Sequence, residues 1–154
     1  AQETLARTLA GADGTPEVMV VGGGISGCEL AGELAALREK APAGWVAPHV
    51  RLVSGSETLV GGLGARVSVK AHRALQAQGV TLELSTRLKA VREGEAVLEH
   101  AGASRSVPSD CVLWAGGISP APILDQLGLP RTDRGWLSVS PTRCRERRRA
   151  RRWS

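Results

Sequence analysis

The chain contains no phenylalanine and no tyrosine, and its aromatic content rests on four tryptophans. Without stacked aromatics it has no platform of the kind that binds single-stranded nucleic acid. Three cysteines in 154 residues are too few for a secreted disulfide scaffold. No Cys-x-x-Cys pair is present for dithiol chemistry. His49, His72 and His100 lie far apart, without metal-ligand spacing, so no metal site is expected. No apolar run approaches the ~18 residues of a membrane span. The first residues lack the basic-then-apolar order of a signal segment, and the expected location is cytoplasmic. A hydrophobic fraction of 42% still suffices for the core of one ordinary domain of ~100–200 residues.

Charge is equally uneven. Residues 143–152 hold seven arginines and one glutamate, a local charge of +6, whereas the whole chain carries +5 and the rest therefore −1. A nucleic-acid partner would have to be argued from that tail alone, and none is expected.

What is present is a strand–helix alternation. Residues 1–16 read as a short polar helix, Thr4 to Leu9, closed by the turn formers of Gly11–Pro16. Val18-Met19-Val20-Val21 is a continuous apolar run, as in a strand buried on both faces. A helical pattern follows to about Lys40, with Leu30, Leu34 and Leu37 on one face. Val50–Val53 is a second strand, Ser54–Gly64 a Gly/Ser-rich loop, and Ala65–Gln78 a helix stopped by Gly79. Val80–Leu84 is a third strand. This order predicts a parallel sheet with right-handed crossovers. Leu88–Val91, Ala96–Glu99 and Arg105–Val107 then read as an inserted antiparallel meander. Cys111–Trp114 returns to the sheet, Pro120–Leu127 suggests a short helix, and Leu137–Val139 a last strand. The expected fold is α/β, a Rossmann-like parallel sheet with helices on both faces and a three-stranded β-meander.

Between the first strand and its helix stands Gly22-Gly23-Gly24-Ile25-Ser26-Gly27. The spacing Gly-x-Gly-x-x-Gly is weak alone but specific in a strand–turn–helix context. Gly22 permits the tight turn, Gly24 lets a pyrophosphate approach the backbone, and Gly27 lets helix and strand pack closely. Free N–H groups at the helix start favour phosphate. These residues are the candidate site for a nicotinamide dinucleotide, NADH or NADPH. In such folds an acid at the end of the second strand bonds the ribose 2′-OH. Here Ser54 stands there, followed by Gly55 and Ser56. Ser54 admits a 2′-phosphate; alternatively, Glu57 reaches back as the acid. Both readings stand.

Three stretches resemble the NAD-binding domain of the pyridine nucleotide-disulfide oxidoreductase superfamily, and within it the type II NADH dehydrogenases (NADH:quinone oxidoreductases). They are Val20–Leu34 with its Gly27-Cys28-Glu29-Leu30-Ala31-Gly32-Glu33-Leu34 ending, Asp110–Ile118, and Leu124–Pro130 with Gly135–Thr142. The resemblance implies that Glu29 orients the nicotinamide end and that Ala115, Gly116 and Gly117 pass the adenine side. It also implies a chain that binds NADH or NADPH beside an FAD domain, whose flavin carries the redox chemistry. By this reading residues 17–118 form the dinucleotide domain and residues 119–142 the remnant of a return segment to a missing FAD domain. Residues 143–154 are an Arg-rich tail where the family has a second flavin motif. That tail reads as a polyanion-binding arm, a solvated end or a frame-shifted stretch, and the abrupt end of resemblance at Thr142 favours the last. A fragment inactive alone is expected, with self-association through exposed apolar surface around Ile118 and Trp136. No catalytic side chain is assigned to it. Members of the family often sit peripherally on the cytoplasmic face of the membrane. A dinucleotide-binding module without catalysis is the alternative. Cys28 and Cys111 read as packed core, Trp114 as core against a partner domain, and His49 and His72 as surface residues.

Overall fold

The computed structural model describes residues 2–11 and 14–139. The arginine-rich stretch, Cys144 and the end of the expected return segment lie outside the described residues. The described part falls into two compact units, residues 1–117 and residues from 118 onward.

In the first unit the elements run in this order: α1 (Gln2–Ala10), β1 (Glu17–Val21), α2 (Ile25–Lys40), β2 (His49–Val53), a 3₁₀ turn (Gly61–Leu63), α3 (Ala65–Ala77), β3 (Thr81–Glu83), β4 (Thr86–Arg92), β5 (Glu95–His100), β6 (Ala103–Pro108) and β7 (Cys111–Trp114). Strands β3-β2-β1-β7 form a parallel sheet, and β4-β5-β6 form a separate antiparallel one. The fold is α/β, as the alternation predicts.

Local chemistry sets the element ends. Helix α2 stops at Ala41, whose extended backbone is required by Pro42. Helix α3 stops at Gly79, which takes the left-handed φ of +81°. There the N–H of Val80 donates to Leu75 O at 3.0 Å and that of Gly79 to Gln76 O at 2.9 Å, the two bonds of a Schellman cap. The β5–β6 hairpin turns on Ala101 and Gly102, both at positive φ, as a two-residue type I′ turn demands.

The two faces of the parallel sheet are covered differently. Val18, Val20, Val50, Leu52, Cys111 and Leu113 share one core with Leu9 of α1, Ala31, Leu34 and Ala35 of α2, and Leu75 of α3. The alternate residues Met19, Val21 and Val53 pack with Ala96, Leu98 and Val107 of the meander. All three described helices thus lie on one face, and the meander takes the place of helices on the other. An ion-pair cluster ties the layers together. Glu83 Oε1 of β3 accepts from Arg51 Nη1 of β2 at 2.8 Å and from Arg105 Nη2 of β6 at 2.6 Å.

In the second unit, Pro122–Asp125 forms a 3₁₀ turn in place of a longer helix, and Arg131 pairs in charge with Asp125. The strand expected at Leu137–Val139 is reduced to a single bridge, Arg131 to Leu137. A turn closes it, with Gly135 N–H donating to Thr132 O at 2.8 Å.

Candidate functional site

The C-terminal ends of β1, β2 and β7 converge on the glycine loop. Gly22 N–H donates to Val53 O at 2.8 Å, and Ala115 N–H donates to Val21 O at 2.7 Å. Gly22 has a φ of +130°, and a methyl group placed on it falls 2.3 Å from the Ala115 carbonyl oxygen. No side chain fits between the strands there. A methyl on Gly27 falls 1.8 Å from Gly22 O, so α2 rests directly on the turn it leaves. Gly24 is the opposite case: nothing lies within 4 Å of a methyl built on it, and its backbone is extended. Gly22 and Gly27 are therefore required by packing, whereas at Gly24 packing imposes no such requirement.

Gly24 is the N-cap of α2, and no side chain caps it. No acid occupies the helix's first turn. Exposed Ile25 and Ser26 belong to that turn, whose N–H groups lack helical partners. The positive end of a 16-residue helix is thus left free to face an anion. The donor set and the open cradle at Gly24 fit a pyrophosphate. Glu29 lies one turn further along α2 and is exposed.

The remaining candidates fall in two groups. Ser54 is buried against Gly23: a methyl on Gly23 falls 2.5 Å from Ser54 Oγ and 3.2 Å from Leu59 Cδ2. Ser54 Oγ accepts from Ser56 N–H at 3.2 Å, and Glu57 is exposed in the same loop. Ala115 touches the turn as described, Gly116 lies under the Trp114 indole, and Gly117 has a φ of +92° in open space. The structure thus brings Gly22, Gly23, Gly27, Ser54, Ala115 and Gly116 together, with Gly24, Ile25 and Ser26 on the outer rim. Glu29 is exposed on α2, and nothing lies within 4 Å of a methyl built on Gly117.

Two residues of the site carry no sequence signal beyond being apolar in a polar loop. Leu59 is fully buried beneath Gly23, and Val60 N–H donates to Gly23 O at 2.7 Å from a left-handed backbone. Together they pin the long loop to the glycine turn.

Side-chain surroundings amend several expectations. Trp114 is 69% exposed and is not core. His49 is half-buried, with Nδ1 2.8 Å from Glu17 Oε2 and Nε2 3.0 Å from Thr81 Oγ1. Cys28 Sγ faces Gly23 O at 3.8 Å. Burial, then the Glu29 charge, pushes the Cys28 thiol above its ordinary range, and burial does the same to Cys111. Both are packing residues rather than activated thiols. Among the described residues no His, Cys, Asp and Glu group is placed to hold a metal, and no helix is long and apolar enough to cross a membrane.

The chain has counterparts among known proteins. The family model described as pyridine nucleotide-disulphide oxidoreductase matches residues 2–145. Demethylphylloquinone reductase NdbB of Synechocystis is 27% identical over 124 residues, covering 80% of this chain and 29% of that protein. The type II NADH:quinone oxidoreductase NdhA of Mycobacterium tuberculosis is 30% identical over 112 residues, covering 68% of this chain and 24% of that protein. The chain spans about a quarter of the length of these relatives. Among solved structures, NDH2 from Plasmodium falciparum in complex with NADH superposes with a TM-score of 0.64 at 14% identity, over 71% of this chain and 24% of that one. Bacillithiol disulfide reductase Bdr from Bacillus cereus superposes with a TM-score of 0.60 at 15% identity, over 77% and 34%. The structural likeness speaks for the fold, and the family match over nearly the whole chain establishes that this protein belongs to the pyridine nucleotide-disulphide oxidoreductase family.

Proposed function

We propose that this chain is the NAD(P)H-binding portion of an FAD-dependent oxidoreductase that passes hydride from NADH or NADPH to flavin and on to a quinone or other acceptor. One observation carries the reading. Gly22 and Gly27 are locked by backbone contact, while Gly24 is open at the uncapped, acid-free start of α2. That combination suits a pyrophosphate bound to backbone N–H groups. In this reading Gly22–Gly27 hold the pyrophosphate, Glu29 orients the nicotinamide end, and Ala115–Gly117 flank the adenine side. Ser54 sits at the ribose end. The dinucleotide domain is residues 17–118.

When bound, FAD supplies the hydride acceptor. The described residues contain one glycine loop of this type, and it is taken up by the dinucleotide. In this reading the 154-residue chain alone binds the dinucleotide without turning it over, and pairs with an FAD domain or its equivalent. Exposed Ile118, Ile123, Leu127 and Trp136 of the second unit support self-association when that partner is absent. A location on the cytoplasmic side, peripheral to the membrane in the intact enzyme, belongs to the same reading.

The test is a fluorescence titration of the 154-residue chain with NADH and with NADPH. Saturable binding that disappears in Gly24→Asp is the expected result. Absence of binding by both nucleotides overturns the proposal.

A further inference from the structure

A guanidinium from the meander lies against the loop after β2. Two backbone hydrogen bonds fix it there: Thr86 N–H donates to Ser54 O at 2.9 Å, and Ser85 N–H to Ser56 O at 3.1 Å. They hold the first residue of β4 beside Ser54 and Ser56. Arg87 comes directly after, and its side chain crosses Gly55. A methyl placed on Gly55 falls 3.7 Å from Arg87 Cγ and 3.9 Å from Nε.

The charge balance singles Arg87 out. Among the described residues, the other cations of the meander have carboxylate partners. Lys89 Nζ is 3.3 Å from Glu99 Oε2, Arg92 Nη1 is 2.9 Å from Glu95 Oε1, and Arg105 Nη2 is 2.6 Å from Glu83 Oε1. Arg87 is exposed and has no such partner. Glu99 is its direct cross-strand neighbour but is engaged by Lys89. Glu57, the carboxylate of the adjoining loop, is exposed and also unpaired.

We propose that Arg87 reads the adenosine ribose of the bound dinucleotide and selects a 2′-phosphate, so that NADPH is the preferred ligand. The inference rests on the dinucleotide reading of Gly22–Gly27. In such folds the ribose lies beyond the end of the second strand, where an acid favours the 2′-hydroxyl and an arginine accommodates the 2′-phosphate. Here the strand-end position is a serine, not an acid; its hydroxyl oxygen is buried and accepts from Ser56 N–H. Of the two unpaired charges near it, Glu57 and Arg87, the one laid across Gly55 is the guanidinium, whose planar fork suits phosphate. The second sheet thereby supplies a group that the loop itself lacks.

The experiment titrates the unchanged 154-residue chain, Arg87→Gln, Lys89→Gln and Glu57→Gln with NADPH and NADH at one physiological ionic strength. Thermal melts confirm that each variant folds. The unchanged chain should bind NADPH more tightly, and Arg87→Gln should lose ~10-fold or more in NADPH affinity relative to NADH. Lys89→Gln and Glu57→Gln should keep the preference. An NADH preference in the unchanged chain overturns the inference while leaving the site. So does a loss in Lys89→Gln equal to that in Arg87→Gln, or an NADH loss in Glu57→Gln with none in Arg87→Gln. Binding of neither nucleotide overturns the dinucleotide reading itself.

Discussion

The three fingerprint glycines answer to different constraints, and single substitutions separate them. At Gly27 an added methyl meets the Gly22 carbonyl at 1.8 Å, and a backbone oxygen in a packed turn yields little. Gly27→Ala should destabilise the fold by ~1–3 kcal/mol, read from the urea midpoint. At Gly24 the space is open and the backbone is one any residue adopts. Aspartate is, moreover, a favoured N-cap. Gly24→Asp should therefore hold or raise the melting temperature by a small margin and still abolish dinucleotide binding, because its carboxylate meets the phosphates. Equal loss of stability in both variants would contradict this division. Glu83 makes a pH prediction. Burial alone would raise its pKa, but the hydrogen bonds and charges of Arg105 and Arg51 outweigh burial and hold the carboxyl below the ordinary glutamate range. A folded-state pKa below the unfolded one means stability that is present above the unfolded value and lost as pH falls. The urea midpoint should drop as pH falls below ~4.3, and Glu83→Gln should be less stable at neutral pH and flatter across that range.

At the scale of elements, the loop between β2 and α3 behaves as part of the site. Leu59 packs beneath Gly23 and Val60 bonds its carbonyl. Leu59→Ala should cost ~2–5 kcal/mol and weaken dinucleotide affinity, since the glycine turn loses its floor. Unchanged affinity at full saturation of folding would assign Leu59 to the core alone. The strands β1 and β2 were legible as short apolar runs, and α2 and α3 as helical patterns with recognisable stops at Pro42 and Gly79. The meander was legible from its glycine turns. Leu59 was not, because Leu59 and Val60 are a lone apolar pair between polar residues and glycines, with no period to belong to. Arg87 was not, because its meaning depends on hydrogen bonds from Ser85 and Thr86 to a loop about thirty residues earlier. Trp114 read as core because it ends an apolar strand. At a strand's last position, however, burial depends on the path of the next residues, and there the chain turns away through Gly116 and Gly117.

For the whole molecule, the order of strands and helices was readable, and the assignment of layers was less so. A parallel sheet is expected to be covered on both faces, yet periodicity does not say by what. Met19, Val21 and Val53 pair with the meander only through contacts between distant segments. The exposed apolar residues of the second unit bear on solution behaviour. Ile118 is 87% exposed. Sedimentation velocity should give a mass that rises with concentration, and Ile118→Ser should lower that tendency. A strictly monomeric chain at all concentrations would count against the self-association reading. The sheet's connectivity has a further consequence, in time rather than space. Strand β1 bonds to β7, and the Glu17 N–H that begins it is accepted by Asp110, 93 residues later. At a synthesis rate of ~5–20 residues per second, that side of β1 waits about 5–20 s on the ribosome for its neighbour. Over that interval a strand with four consecutive apolar residues, Val18–Val21, presents an open edge, the situation most prone to pairing with the wrong chain. The nascent protein is thus most vulnerable after its dinucleotide loop has been made and before its last sheet strand arrives.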